Sequence, residues 1–410
     1  MPLIQYACLP TARMEMFYSA MRYPDLAVLD FSMNGHALYN YGSLPWLSEQ
    51  VVSRQSYSTH MTELDIALGD TGRLRRAAED LLEIGKTNEK LFVCTPDVGM
   101  NLKGFRQAFL MPSSVASVLG LDLKALCEEL SGPNFTLFTA PARMDADFFA
   151  GSEQLSLALA RQFARPEEKA GKSGFCLLGG FFSSASGHDN AYITEAIEGA
   201  LGIPLAFDNL NPRSILDWRR AATAQVNVVT SQSALKAARF LQERFGVPYF
   251  EWFPLGKAAQ DAALQGLSAL LKKEYVLRTD AVYDAVALQA RNVIAFAGKP
   301  LACYGDIDRI RLMQALFREL GVQAEYICSH KNAAGLPVSS IDECIARFQA
   351  EETVLLSYDS VCEHVPHSVA IDRTGLEYAL LTPLRRMRTG VEGAYRVLEK
   401  LVDVLLRMMQ

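Results

Sequence analysis

The feature that most constrains this chain is an end-to-end alternation of short apolar, β-rich runs with longer helical patterns. Strand-like runs are Asp25–Phe31, Lys90–Cys94, Phe135–Thr139, Phe175–Gly179, Val226–Thr230, Leu301–Tyr304, Ala324–Cys328 and Val354–Tyr358. Between them lie helix-like segments such as Leu74–Ile84, Ile193–Leu201, Ala234–Phe245, Arg309–Leu320 and Ile341–Phe348. A strand that is apolar on both faces has no solvent side, so such strands belong in parallel sheets covered above and below by helices. The expected class is α/β.

With 410 residues the chain exceeds one ordinary core. Two breaks interrupt the pattern. Arg165–Lys172 is charged and contains Pro and Gly, and a new strand begins after it. The helical stretch Thr279–Ala295 leads through Gly298-Lys299-Pro300 into another strand. These breaks predict three domains, 1–168, 169–280 and 281–395. The closing helix, about Val391–Met409 with residues 396–410 beyond the third domain, carries apolar residues at helical spacing and must bury them. The first domain is the expected docking surface.

Charge and composition exclude some partners. The formal charge is −6, and no long basic run offers a footprint for nucleic acid. The first residues lack a signal-peptide pattern, and no run of about 18 apolar residues predicts a membrane span. Eight cysteines are too sparse for a disulfide framework in a chain this long. Reduced thiols and a cytoplasmic location are expected, with some thiols available to metals.

Two apparent phosphate loops fail on their first glycine. Gly85-Lys86-Thr87 and Gly171-Lys172-Ser173 resemble the end of a phosphate loop, but Asp80 and Pro166 stand where its opening glycine belongs. Gly179-Gly180 after a strand marks either a tight turn or a close approach to a ligand.

Cys8, His36 and Cys94 form the more informative set. His36 follows the strand Asp25–Phe31, and Cys94 ends the run Lys90–Cys94. Parallel sheets present ligands beyond the carboxyl ends of their strands, and thiolate and imidazole both bind iron. On spacing alone, buried structural cysteines are the stronger reading. Cys362-Glu363-His364-Val365-Pro366-His367 is a separate local metal candidate, and Cys328 with His330 a third. Cys127, Cys176, Cys303 and Cys344 fall in apolar segments, where a thiol packs as a small hydrophobe.

A family resemblance alters that weighting. Asp30–Tyr39, with Gly35-His36, resembles the nitrogenase component 1 segment in which a Gly-Cys pair supplies a cluster ligand. Ser58–Gly69 resembles the family's Thr and Glu-x-Asp run before a glycine, and Phe92-Val93-Cys94-Thr95 its third-ligand segment. Leu177–Gly180 with Gly187-His188-Asp189, Val226–Ser231, Phe245–Pro248, Pro254–Gly256, Gly298–Asp306 and Arg388–Ala394 follow the family's order along nearly the whole chain. The family comprises nitrogenase component 1, its cofactor-assembly scaffold and dark-operative tetrapyrrole reductases.

The resemblance implies three Rossmann-like parallel-sheet domains around a central cleft, and an iron–sulfur cluster held partly by Cys8, His36 and Cys94. It implies a homologous component 1-like subunit as partner, in a heterotetramer or homodimer, and an iron-protein-like ATPase as electron donor. Three departures stand out: His36 replaces a ligand cysteine, Ser231 stands where an α-type subunit carries its cofactor cysteine, and Leu380–Arg388 holds no cofactor histidine. A β-type subunit fits better, either in a reductase or in a non-catalytic scaffold for metallocluster assembly. Glu63 and Asp65 are candidates for acid–base chemistry, with helix capping or local hydrogen bonding as the competing role.

Overall fold

The structure is a computed structural model that describes residues 12–32, 55–87, 105–113, 119–141, 149–166, 173–179, 187–276, 280–329, 335–372 and 389–410. Twelve strands among these residues form three four-stranded sheets in which every pairing is parallel. The first holds β1 (Leu26–Asp30), β2 (Ser56–Ser58), β3 (Gln107–Met111) and β4 (Thr136–Thr139). The second holds β5 (Phe175–Leu178), β6 (Leu205–Asp208), β7 (Val226–Val229) and β8 (Tyr249–Glu251). The third holds β9 (Leu301–Gly305), β10 (Glu325–Cys328), β11 (Val354–Tyr358) and β12 (Ser368–Asp372). Each sheet has the same order, second–first–third–fourth. The strand order therefore reverses between the first and third strands of every sheet, at β1/β3, β5/β7 and β9/β11.

The helices follow from local chemistry. Around the first sheet lie α1 (Ala12–Ala20), α2 (Glu63–Ala67), α3 (Gly72–Thr87), α4 (Leu123–Leu130) and α5 (Phe149–Phe163). Around the second lie α6 (Gly187–Leu201), α7 (Trp218–Ala221), α8 (Leu235–Phe245) and α9 (Lys257–Leu271). The third carries α10 (Ala281–Ala297), α11 (Ile307–Leu320), α12 (Ile341–Phe348), α13 (Asp359–Cys362) and α14 (Gly390–Met408). Side chains satisfy the exposed amides at several helix starts: Asp280 accepts from the Tyr283 amide at 2.9 Å and Asp306 from the Arg309 amide at 3.0 Å. Gly298 and Gly321 end α10 and α11 with φ of 62° and 65°, a conformation costly for residues with a Cβ.

The first and second sheets share a core. Phe109 and Phe138 from one, and Leu178 and Val229 from the other, join a single cluster with Phe17, Leu155 and Trp218. The Trp218 indole donates to the Tyr23 hydroxyl at 2.9 Å, and Asp25 accepts from the Ile215 amide at 2.8 Å. α1 and α5 cross so closely that a Cβ on Gly151 would sit 1.8 Å from the Ala12 carbonyl oxygen.

The closing helix departs from expectation. α14 packs on α10, α9 and β12 instead of the first unit. Its stripe of Ala394, Val397, Leu398, Leu401 and Leu405 completes the core holding Tyr283, Ile294, Phe317 and Val369. Without it those apolar side chains of the third unit would face water. Among the described residues, no helix is long and apolar enough to cross a membrane.

Candidate functional site

Ligands of open parallel sheets bind beyond the carboxyl ends of the strands, where strand order reverses. In the first sheet that point lies between β1 and β3. Their register pairs Asp30 with Met111; beyond it the Phe31 amide donates to the Met111 carbonyl and the chain turns at Ser32, whose amide donates to the Asp30 carbonyl. Arg13, at the start of α1, forms an ion pair with buried Asp30 at this edge. Met111 is buried in the core on one face of the sheet, and Phe31 and Met61 in the core on the other. The Ser32 carbonyl accepts from the Met61 amide at 3.3 Å. Ser32 and Ser113 are fully buried, and neither hydroxyl has a hydrogen-bond partner.

Cys8, His36 and Cys94 all lie outside the described residues, so the chain on either side of them bears on their placement. Cys8 precedes α1 by four residues and His36 follows Ser32 by four, each a reach of about 14 Å of extended chain. The described residues closest in sequence to Cys8 and His36 thus flank one ion pair, Arg13–Asp30. Cys94 falls in the span between Thr87 and Phe105, outside the described residues. Near the ends of that span, Gly85 packs against Phe105, whose carbonyl oxygen would be 2.8 Å from an added Cβ. The strand beside β1 is β3, which ends at Met111, two residues before Ser113. The expected strand Lys90–Cys94 is outside the described residues.

The other sequence candidates resolve into structural roles. Asp65 accepts from the Thr62 amide at 2.8 Å, completes a capping box for α2 and pairs with Arg73. The Thr62 hydrogen bonds and then Arg73 hold its carboxyl below the usual range. Gly85-Lys86-Thr87 ends a helix instead of forming a loop. Gly179 is a close approach between protein segments: its amide donates to Asn209, its carbonyl accepts from the same side chain, and a Cβ would meet Thr230 Oγ1 at 2.6 Å.

Among the described residues, no group of three His, Cys, Asp or Glu side chains could hold a metal ion. This corrects the Cys362–His367 candidate: α13 ends at Cys362, and the turn after it is closed by the His364 and Val365 amides donating to Val361 and Cys362. Cys328 is buried at the end of β10, and His330 lies outside the described residues. Cys127, Cys176, Cys303 and Cys344 are buried free thiols whose burial raises their pKa, Cys127 and Cys344 to about 12.

Sequence reasoning did not anticipate the second edge, between β5/β7 and the third unit. Ser231 is fully buried and caps the turn Gln232–Ala234, its hydroxyl accepting from the Ser233 amide at 3.2 Å. Asp308, on the first turn of α11, accepts the Gln232 amide at 2.9 and 3.1 Å and is also hydrogen-bonded by Ser231. Asp306-Ile307-Asp308 after a strand signals a helix start, but nothing local to it signals a partner in the preceding unit.

The iron–sulfur group expected from the sequence would be held by Cys8, His36 and Cys94, whose thiolates and imidazole are iron ligands; the described residues nearest Cys8 and His36, Ala12 and Ser32, lie within two residues of the Arg13–Asp30 pair. Three parallel α/β units, each with its strand order reversing between first and third strands, define a Rossmann-like class of fold. Within it, the sequence profile of the nitrogenase component 1 type oxidoreductases matches residues 102–359, and the chain belongs to that family. The matched span begins after Cys8, His36 and Cys94.

Two curated relatives are nitrogenase iron-molybdenum cofactor biosynthesis proteins NifE. The one from Mesorhizobium japonicum is 26% identical over 230 residues, covering 54% of this chain and 41% of the relative. The one from Sinorhizobium fredii is 26% identical over 252 residues, covering 56% and 44%. The matches thus span less than half the length of these relatives. A solved structure described as nitrogenase Cp1 at pH 6.5 superposes with a TM-score of 0.72 at 15% identity, over 98% of this chain and 93% of that one. A second, nitrogenase Cp1 at pH 5, gives 0.53 at 12% identity, over 100% and 88%. These structural matches speak to the fold.

Proposed function

We propose that this chain is a cluster-bearing subunit of a component 1-type reductase, taking low-potential electrons from an ATP-dependent iron protein. The observation that supports the reading is the Arg13–Asp30 ion pair at the β1 edge, which joins the described residues closest in sequence to Cys8 and His36. Cys94 completes the proposed ligand set. Seven residues separate it from Thr87, a reach of about 24 Å, which exceeds the roughly 17 Å length of a five-residue strand such as β3.

When bound, the iron–sulfur cluster would supply one-electron transfer at low potential. The chain's own residues set the conditions for it. Arg13 neutralises Asp30 and fixes the start of α1 against the end of β1. Met111 on one face of the sheet, and Phe31 with Met61 on the other, bury the strand ends. Ser231 is already engaged as a cap and is contacted by Asp308, so this position offers no thiolate to a larger cofactor. A homologous subunit, or a second copy, is therefore the proposed source of the remaining ligands and of the substrate site.

The second reading is a non-catalytic scaffold that carries a metallocluster precursor, favoured by the name of the NifE relatives. Anaerobic purification with iron and acid-labile sulfide analysis tests what both readings share; absence of both elements refutes each. Electron delivery separates them. Turnover-dependent oxidation of the cluster with an iron protein and ATP is expected of the reductase, and transfer of the intact cluster to another apoprotein is expected of the scaffold.

A further inference from the structure

α10 is apolar on two sides. Its inner side, with Tyr283, Ala290 and Ile294, packs in the core of the third unit. Its outer side presents Ala281, Val282, Ala285, Leu288, Ala295 and Phe296, all exposed. At 3.6 residues per turn these share one face with Gln289 and Asn292, and no charged residue falls among them. Val282, Leu288 and Phe296 are 68%, 58% and 83% exposed. A helix that only faces water on its outer side carries charged and polar residues there, so an uncharged apolar face calls for a partner.

The face matches itself. Phe296, its largest residue, stands at one end, and the small Ala281, Val282 and Ala285 at the other. A second copy turned antiparallel about a two-fold axis near Leu288 lays its Phe296 over Ala281 and Val282, while Leu288 meets Leu288. Asp284 and Arg291 border the face along the same side, seven residues apart. Asp284 is 59% exposed even while paired with Lys257. The two-fold operation brings Asp284 of each copy toward Arg291 of the other and sets no like charges together. A membrane surface fits less well: a helix lying in a lipid interface rims its apolar side with Lys and Arg, and Arg291 is the one basic residue in α10.

We infer that the outer face of α10 is a self-association surface, on which a second copy of this chain docks its own α10 antiparallel across a two-fold axis near Leu288. The 17-residue helix offers a strip about 25 Å long and about 10 Å wide. An interface of that size lies at the low end of specific association, so the dimer forms reversibly at micromolar concentration. The inference is independent of the cluster reading proposed above.

Sedimentation velocity of the full chain across a micromolar concentration series should show a reversible monomer–dimer equilibrium. Phe296→Glu places a charge on the face and leaves the core untouched; it should weaken the dimer by about 30-fold or more, the loss of a hot-spot aromatic, with the monomer's melting temperature unchanged. Introduced cysteines read the geometry. Leu288→Cys should cross-link to itself on oxidation, and Val282→Cys should cross-link to Phe296→Cys in a mixture but not to itself, each above the wild-type background. A chain that stays monomeric throughout the series overturns the inference, as does a dimer that survives Phe296→Glu or a Val282→Cys that links to itself. A monomer that sediments with anionic lipid vesicles, and ceases to do so in Phe296→Glu, assigns the face to lipid and overturns it too. None of these measurements reads iron, so the cluster reading stands or falls separately.

Discussion

Asp308 and Gln232 lie 76 residues apart, yet both carboxylate oxygens of Asp308 accept from the one Gln232 amide. The contact joins the third unit to the second, because Asp308 opens α11 while Gln232 opens the turn that follows β7. Asp308 is fully buried, and burial raises its pKa from 3.8 to about 6 against the lowering effect of the Gln232 amide, Ser231 and Arg311. Glu251, itself paired with Arg311 at 2.7 Å, raises it further.

The sign of this shift fixes a pH prediction. A carboxyl whose folded pKa lies above its unfolded value binds more protons in the folded state between the two, so stability falls as pH rises through that window. The penalty is absent below about pH 4 and complete above about pH 6, with a size on the order of 2–3 kcal/mol. Asp308→Asn removes it. The difference in unfolding free energy between variant and wild type should grow in the variant's favour between pH 4 and 7, by chemical denaturation at each pH. A difference that stays constant across that range would refute the account.

The α1–α5 crossing gives a steric prediction. A Cβ on Gly151 would lie 1.8 Å from the Ala12 carbonyl oxygen and 2.8 Å from the Met16 amide nitrogen, and both neighbours are backbone. Gly151→Ala must push the helices apart, at a cost of about 1–3 kcal/mol. Because Arg13 follows Ala12, the same displacement should weaken the Arg13–Asp30 pair. Thermal melting measures the first effect, and a variant as stable as wild type would contradict the crossing geometry.

Much of the fold was legible because central strands are apolar on both faces. β5, β7, β9 and β11 lie within or close to the runs Phe175–Gly179, Val226–Thr230, Leu301–Tyr304 and Val354–Tyr358. β2, β6, β8 and β12 were missed: all four are edge strands, and Ser56-Tyr57-Ser58 has no apolar run to detect. β3 is apolar but short and preceded by polar sequence, so Lys90–Cys94 competed for its place in the reading. Of the site, residue chemistry pointed to Cys8, His36 and Cys94. Arg13 and Asp308 matter through partners far away in sequence, which no local pattern encodes.

Thiol accessibility should follow burial. Cys127, Cys176, Cys303 and Cys344 are buried, with pKa values raised by desolvation, and alkylation requires an accessible thiolate. In native protein these four should resist iodoacetamide, while partly exposed Cys362 should react first among the described cysteines. Peptide mass analysis after timed labelling reads the order. Early modification of Cys176 or Cys303 would mean that the sheets open more readily than their packing implies.

The ligand set yields the sharpest comparison. Cys8→Ala should lose most of the iron, because a methyl group cannot coordinate it. His36→Ala should lose less, since water or another side chain can occupy one position, and His36→Cys should retain the cluster with a lowered potential. Cys94→Ala separates two geometries. The described residues that flank it end near the contact of Gly85 with Phe105, and it serves as a ligand only if its segment spans the distance to those of Cys8 and His36. Iron loss equal to that of Cys8→Ala, measured on anaerobically prepared protein, supports that span. Full iron retention in Cys94→Ala alone would remove it from the set and leave the third ligand to another segment or to the partner. Full retention in both cysteine variants would remove the cluster from this edge altogether.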